Sequence, residues 1–167
     1  MTDNKPKVLL YLDIGGVLNK YGLEENIEIF SLTGKDHFYS PSYISNLVTL
    51  SNTVNLDIVL ISSWAEDFIL EELSNLFKNT FNISYNSLSV ASVFEDGEWK
   101  NPYGRTQYSE NTDKRIEHNL NEQTTVNYDY IISISDELLK TTEITNFTVE
   151  DGFNQSELLK IIEYMNI

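Results

Sequence analysis

Chemistry in this sequence is concentrated where apolar runs stop. Asp13 follows Val8-Leu9-Leu10-Tyr11-Leu12 and precedes Ile14-Gly15-Gly16-Val17-Leu18-Asn19. Ser62 and Ser63 follow the run from Leu56 to Ile61, and Asp136 follows the run from Tyr128 to Ser135. A short continuous apolar run reads as a strand buried on both faces. The polar residue that ends such a strand lies at its carboxyl end, where open parallel sheets place their ligands. Gly15 and Gly16 let the chain turn sharply and approach a ligand closely. A carboxylate beside such a turn suits a phosphate and its metal ion. The same residues also fit a β-hairpin, with Leu9 to Leu12 and Val17 to Tyr21 as arms and Asp13 to Gly16 as the loop.

The elements around these positions favour the parallel sheet. Lys20 to Ser40 carries alternation at Ile27-Glu28-Ile29-Phe30 and a turn at Thr33-Gly34-Lys35-Asp36, which predicts a small flap beside the Asp13 loop. Ser40-Pro41 starts a helix, the serine offering a capping hydroxyl, with Tyr43, Ile44, Leu47, Val48 and Leu50 as its stripe. The stripe Phe68, Ile69, Leu73, Leu76 and Phe77 predicts a second helix. Short strand-like pieces lie between Ile83 and Phe94, and Glu95 to Glu98 is a turn. A helix over 113–120 starts with Thr112 as its cap and carries Lys114 and Arg115 in its first turn. Positive charge there opposes the helix dipole, which points to another role for one of the two. A short strand at 145–149 and a helix with Leu158, Leu159, Ile162 and Met165 on one face end the chain. The alternation of strands and helices predicts a three-layer α/β domain with a mainly parallel sheet, taken as a single domain over residues 1–167. Trp64 reads as core, and His37 and His118 as exposed.

The chain has 167 residues, 41% of them hydrophobic and 12% aromatic, enough for a core. No apolar run is long enough for a membrane span. Cysteine is absent, and the polar N-terminus does not read as a signal peptide, so a cytoplasmic protein is expected. With 26 acidic residues against 11 lysines and arginines, the net charge is −15. Such a field disfavours non-specific nucleic-acid binding, which needs clustered cations. It leaves room for a phosphate site, because a bound divalent cation and a few backbone amides reverse the potential locally.

The order of these features resembles the haloacid dehalogenase superfamily, mostly phosphohydrolases and phosphotransferases on a Rossmann-like sheet. Its first motif, an aspartate after a buried strand, one residue, a second aspartate, then Gly and Thr or Val, is similar to Asp13-Ile14-Gly15-Gly16-Val17-Leu18-Asn19 except at Gly15. Its second, a Ser or Thr closing the next strand, looks like Ser62. Its third, a lysine ahead of the fourth strand, is best matched by Lys114, and its acidic fourth by Asp136 in Ile134-Ser135-Asp136-Glu137. The LDxxGVLN opening with a later Ser-Ser-Trp is similar to small members without a large cap, including those attached to nucleic-acid repair proteins.

The resemblance implies Asp13 as the nucleophile that attacks phosphorus. It implies Mg²⁺ held by Asp13, Asp136 and the main-chain carbonyl of Gly15, since Mg²⁺ takes oxygen ligands and keeps several waters. Ser62, with Ser63 and Gly16 beside it, would contact the phosphoryl group, and Lys114 would offset its charge. Ser62 and Asp136 also read as helix N-caps, and Lys114 as a solvated surface lysine.

Gly15 stands where phosphatases of this superfamily carry the acid that protonates the leaving oxygen. Losing a positioned acid or base costs about 10² to 10⁴-fold. Three accounts follow: a homologue impaired in turnover that binds a phosphorylated small molecule or macromolecule; an enzyme whose proton comes from elsewhere, such as Glu24 or Glu25; or a deliberate replacement of the aspartate. A different class of function, an acidic antitoxin or inhibitor acting on a basic partner through its surface, also fits the charge.

Overall fold

Alternating burial explains why the apolar runs are strands. The computed structural model describes residues 4–19, 28–32, 35–105, 111–123 and 127–167. In β1 (Lys7–Leu12), Val8, Leu10 and Leu12 enter one apolar cluster, while Leu9 and Tyr11 enter another. After β2 (Glu28–Leu32), β3 (Lys35–Tyr39) and α1 (Pro41–Thr53) comes β4 (Asn55–Leu60). It repeats the alternation, with Leu56, Ile58 and Leu60 on the first side and Val59 with the following Ile61 on the second. A strand covered on both faces has no polar side to show, so its sequence is apolar throughout.

Five strands form the central sheet in the order β5-β4-β1-β8-β9, where β5 is Ser87–Val90, β8 is Tyr130–Ser135 and β9 is Thr145–Thr148. Every pairing in it is parallel, with Leu12 opposite Leu60 on one side and Ile134 on the other. The hairpin alternative for Val8 to Tyr21 is thereby excluded. Asp13, Ser62 and Asp136 leave the carboxyl ends of three adjacent strands, with β1 in the middle.

The larger apolar cluster is covered by α1, by the segment after β4 and by α5 (Gln155–Tyr164), through side chains including Leu47, Phe68, Phe77 and Ile161. The smaller is covered by α4 (Thr112–Glu122), through Ile116 and Leu120. These are the three expected layers. Among the described residues no helix is long and apolar enough to cross a membrane.

Several local expectations need correction. Where one helix is expected through the stripe at 68–77, the segment after β4 holds three pieces, α2 (Trp64–Asp67), α3 (Leu70–Asn75) and a π-helical turn at Leu76–Thr80. Phe68 and Ile69 are extended between them, and Glu72 Oε1 accepts the Ile69 N–H (3.1 Å), which starts a new helix. Ile69 is consequently exposed. Ser40 precedes α1 as expected, but its hydroxyl caps nothing; its N–H donates to the Leu18 carbonyl (2.8 Å), tying the flap's exit to the Asp13 loop. The cap of α4 is Asn111, whose side chain accepts the Lys114 N–H, and not Thr112. On α5 it is Ile161 that is buried, whereas Leu159 is exposed.

The flap is an antiparallel hairpin of β2 and β3. Lys35 and Asp36 belong to β3, while Thr33, Gly34, Glu24 and Glu25 lie outside the described residues. The turn at Glu95 to Glu98 joins a second hairpin, β6 (Val93–Glu95) and β7 (Glu98–Lys100).

The loop after β9 braces the start of the fold. Phe153 N–H donates to Val17 O (2.7 Å), and Tyr43 Oη donates to Asp151 O (2.9 Å). Gly152, between them at φ +76°, has the Tyr43 ring where a Cβ would sit, 2.2 Å from Cε2. Gly97, at φ +78° in the β6–β7 turn, has open space. An alanine at φ > 0 costs about 1–2 kcal/mol. Gly97→Ala should show that cost alone, and Gly152→Ala clearly more, because the Tyr43 ring must also move. Urea midpoints at constant slope decide it; equal losses would mean that the ring gives way freely.

Candidate functional site

The site is built by the two strands that flank β1. Asp13 N–H donates to the Ile134 carbonyl (3.0 Å), and Ile61 N–H donates to the Leu12 carbonyl (3.0 Å), so the sheet ladder fixes the loop at its base. The chain then closes on itself. Val17 and Leu18 N–H donate to Ile14 O, and Asn19 accepts the Gly16 N–H on Oδ1 (3.0 Å) while donating from Nδ2 to the flap's Phe38 O (3.0 Å). Asn19 is buried and ties the loop to the flap.

Asp136 arrives from β8 directly against this loop. An ideal Cβ on Gly16 would lie 2.2 Å from Asp136 Oδ2 and 2.6 Å from its Cγ, and Gly16 has φ +75°. Only glycine meets both demands. Gly15 differs: nothing lies within 4 Å of its Cβ position, and its φ is outside the left-handed region.

The structure thus brings Asp13, Gly16 and Asp136 together, and adds Ser135, which the motif pattern did not single out. Ser135 is buried; its hydroxyl donates to Asp13 Oδ2 (3.4 Å) and accepts the Glu137 N–H (3.1 Å). Serine, not Asp136, therefore caps the turn after β8. Its place as the last buried residue before Asp136 was the signal available. Ser62 is buried at the end of β4, where its Oγ accepts the Trp64 N–H (3.1 Å). This is the N-cap-like role, and the hydroxyl proton remains to be donated. Ser63 is exposed, has no side-chain cap bond and supplies only its carbonyl to Glu66. Trp64 is buried as expected.

Lys114 is not brought to the site by any contact. Its side chain is 59% exposed and pairs with Glu117 (3.4 Å), as a solvated lysine would. The buried cation is its neighbour Arg115, 2% exposed, which donates to the carbonyls of Ile61, Ala91 and Ser92. The histidines are not exposed either. His37 packs edge-on to Trp64 and approaches Asp67 (3.2 Å), and His118 stacks on Trp99 at 3.9 Å. Aromatic neighbours distant in sequence made those two placements illegible.

Electrostatics at Asp13 follow from this geometry. Burial pushes its carboxyl pKa up from 3.8 to about 7, and the carboxylate of Asp136 adds to the rise. The Ile14 N–H on Oδ1 (2.8 Å) opposes it, and Glu137 and a shared hydrogen bond with Asp136 push it further up. Two carboxylates forced together are oxygen donors suited to a hard cation. Among the described residues no cluster of three or more His, Asp or Glu side chains forms a fuller cage. Carboxylate oxygens are the donors that a hard ion such as Mg²⁺ takes, and Mg²⁺ fills its remaining positions with water.

A family model described as the HAD domain in Swiss Army Knife RNA repair proteins matches residues 9–151, from within β1 to the loop after β9. No curated protein matches the chain.

The raised Asp13 pKa has a sign for stability. The folded state holds its proton more tightly than the unfolded chain, so this contribution is fully present below about pH 4 and is lost as pH rises through about 7. In divalent-free buffer with chelator, the melting temperature should carry a falling component across that window. Asp13→Asn should remove it. An Asp13→Asn variant whose pH profile parallels the wild type would show that the carboxyl is not strained.

Proposed function

The chain belongs to the family of haloacid dehalogenase domains described from Swiss Army Knife RNA repair proteins, and from that premise we propose that its Asp13 loop binds a phosphoryl group together with Mg²⁺ and turns it over poorly. As a phosphohydrolase-type domain it needs a nucleophile at the end of β1, and Asp13 is the residue there. The observation that carries the reading is the convergence of Asp13 and Asp136 over Gly16, whose missing side chain leaves room for the second carboxylate.

Asp13, Asp136 and the Gly15 carbonyl would hold the ion. Bound there, Mg²⁺ supplies positive charge against the phosphoryl oxygens and relieves the repulsion between the acids. The Asp13 carboxylate attacks phosphorus as the bond to the leaving oxygen breaks; the Ser62 hydroxyl donates to a phosphoryl oxygen, and the Ile14 N–H keeps Asp13 oriented. Water then hydrolyses the acyl phosphate and returns Asp13. The departing oxygen needs a proton, and Gly15 has none to give. An aryl oxide leaves without one, whereas an alkoxide does not, so aryl phosphates should lose least.

The family's description makes the terminal phosphate of an RNA end one candidate among phosphorylated small molecules and macromolecules. A chain at −15 does not hold a strand along its length without local cations, so such an end would be read at its phosphate.

The test restores the missing group. Nothing lies within 4 Å of the Gly15 Cβ position, and its φ is outside the left-handed region, so a side chain can start there without backbone strain. Gly15→Asp should raise hydrolysis of alkyl phosphates by about 10²-fold or more, and Asp13→Asn in that background should abolish the gain. Phosphate release across aryl, alkyl and RNA-end phosphates with Mg²⁺ measures it. A folded, Mg²⁺-binding Gly15→Asp protein that hydrolyses none of them would assign the site to binding alone. Efficient turnover of alkyl phosphates by the wild type would mean that another residue supplies the proton.

A further inference from the structure

Two residues in the first turn of α4 reach to the two loops that flank Asp13. Asp113 Oδ1 accepts three hydrogen bonds, from the N–H of Lys140 (2.9 Å) and of Thr141 (2.9 Å) and from Thr141 Oγ1 (2.6 Å). Thr141 is 3% exposed, and its carbonyl accepts from Asn146 Nδ2 (3.0 Å), whose Oδ1 accepts from Ser133 of β8 (2.6 Å). The chain that leaves β8 with Asp136 is therefore fastened at both ends, by Ser135 where it starts and by Asp113 where it ends. Arg115 fastens the other side. Its Nη1 donates to Ile61 O (3.2 Å), next to Ser62, and its Nη2 and Nε donate to Ala91 O (3.1 Å) and Ser92 O (3.2 Å) beyond β5.

We propose that the first turn of α4 is a brace that sets the places of Asp136 and Ser62 about Asp13, with Asp113 and Arg115 as positioning residues. The proposal rests on the reading above, in which Asp136 holds the cation and Ser62 the phosphoryl oxygen. The need for a brace is geometric. Asp136 lies on an exposed loop, yet its Oδ2 is packed where a Cβ on Gly16 would sit, a close placement that requires the loop to be held at its far end. A carboxylate taking three donors is a strong fastening. On the other side the planar guanidinium directs separate N–H groups at three carbonyls, which an ammonium does not reproduce. This use of the basic position also accounts for Lys114 standing in solvent: the turn presents its inward contacts through the residues on either side.

The experiment separates the two arms on the full chain. Mn²⁺ alone, followed by electron paramagnetic resonance, reads the Asp136 arm; inorganic phosphate at saturating Mg²⁺, followed by calorimetry, reads the Ser62 arm. Asp113→Ala should weaken Mn²⁺ binding about tenfold, the usual scale for residues that orient ligands, and should speed amide exchange at residues 137–141 while β1 and β4 stay protected. Thr141→Val, a milder change, should move both in the same direction, and Asp113→Asn should restore most of the loss. Arg115→Lys should weaken phosphate binding and leave Mn²⁺ affinity unchanged. If every variant weakens both ligands in step with its fall in melting temperature, the turn is ordinary structure and the proposal is overturned. If the wild type binds neither Mn²⁺ nor phosphate, the functional reading above fails by itself. The brace is then decided by exchange: acceleration confined to 137–141 in Asp113→Ala upholds it, and unchanged exchange there overturns it.

Discussion

Asp136 Oδ2 occupies the place that any side chain at residue 16 would need, and the site depends on that contact. Gly16 sits at φ +75°, which turns the loop after β1 back toward β8 at the point where β8 delivers its acid. The approach is unfavourable by itself, since burial and a second carboxylate both disfavour charge on Asp13. It is held by the parallel ladder, in which β1 is hydrogen-bonded on both sides and its residues from Val8 to Leu12 are nearly inaccessible to solvent. A rigid central strand converts packing energy into electrostatic strain at its end. That strain is what a hard cation would relieve.

The supports around this point are polar, and each is satisfied. Asn19 joins the Gly16 N–H to the flap, Ser135 joins Asp13 to the turn after β8, and Arg115 gathers three carbonyls at the ends of β4 and β5. Removing a buried donor of this kind leaves acceptors unpaired, at about 1–3 kcal/mol each. The strand ends are accordingly more constrained than their loop-rich sequence suggests. The flap shares in this, because its Phe38 carbonyl, the Ser40 N–H and the His37 ring all contact the loops at the strand ends.

A strongly negative chain and the proposed phosphate site are less contradictory than they sound. The field at −15 acts at long range and is screened over about 8 Å at physiological ionic strength. Within the proposed site, a divalent ion held by two carboxylates would set the local sign. The balance disfavours extended polyanions and leaves a single terminal phosphate acceptable. On the proposed reading, selection by charge and recognition by the site would operate at different distances.

Much of this was legible in the sequence because it is a matter of local pattern. Runs without a polar face read as strands covered on both sides, and the polar residue that ends each such run falls at a carboxyl end, which placed Asp13, Ser62 and Asp136. The order of those features along the chain carried the family. Tertiary structure decided what depends on residues far apart in sequence. It chose Arg115 over Lys114 as the buried cation, because that depended on which carbonyls at the ends of β4 and β5 would be left without donors. It withdrew His37 and His118 from solvent by setting them against Trp64 and Trp99. It broke the expected helix at Phe68 and Ile69, where Glu72 found the Ile69 N–H. The two glycines show the division most plainly. By backbone freedom alone Gly15 and Gly16 are two turn glycines, told apart in sequence only by their motif positions, and it is the packing of Asp136 that makes one of them irreplaceable and leaves the other open space.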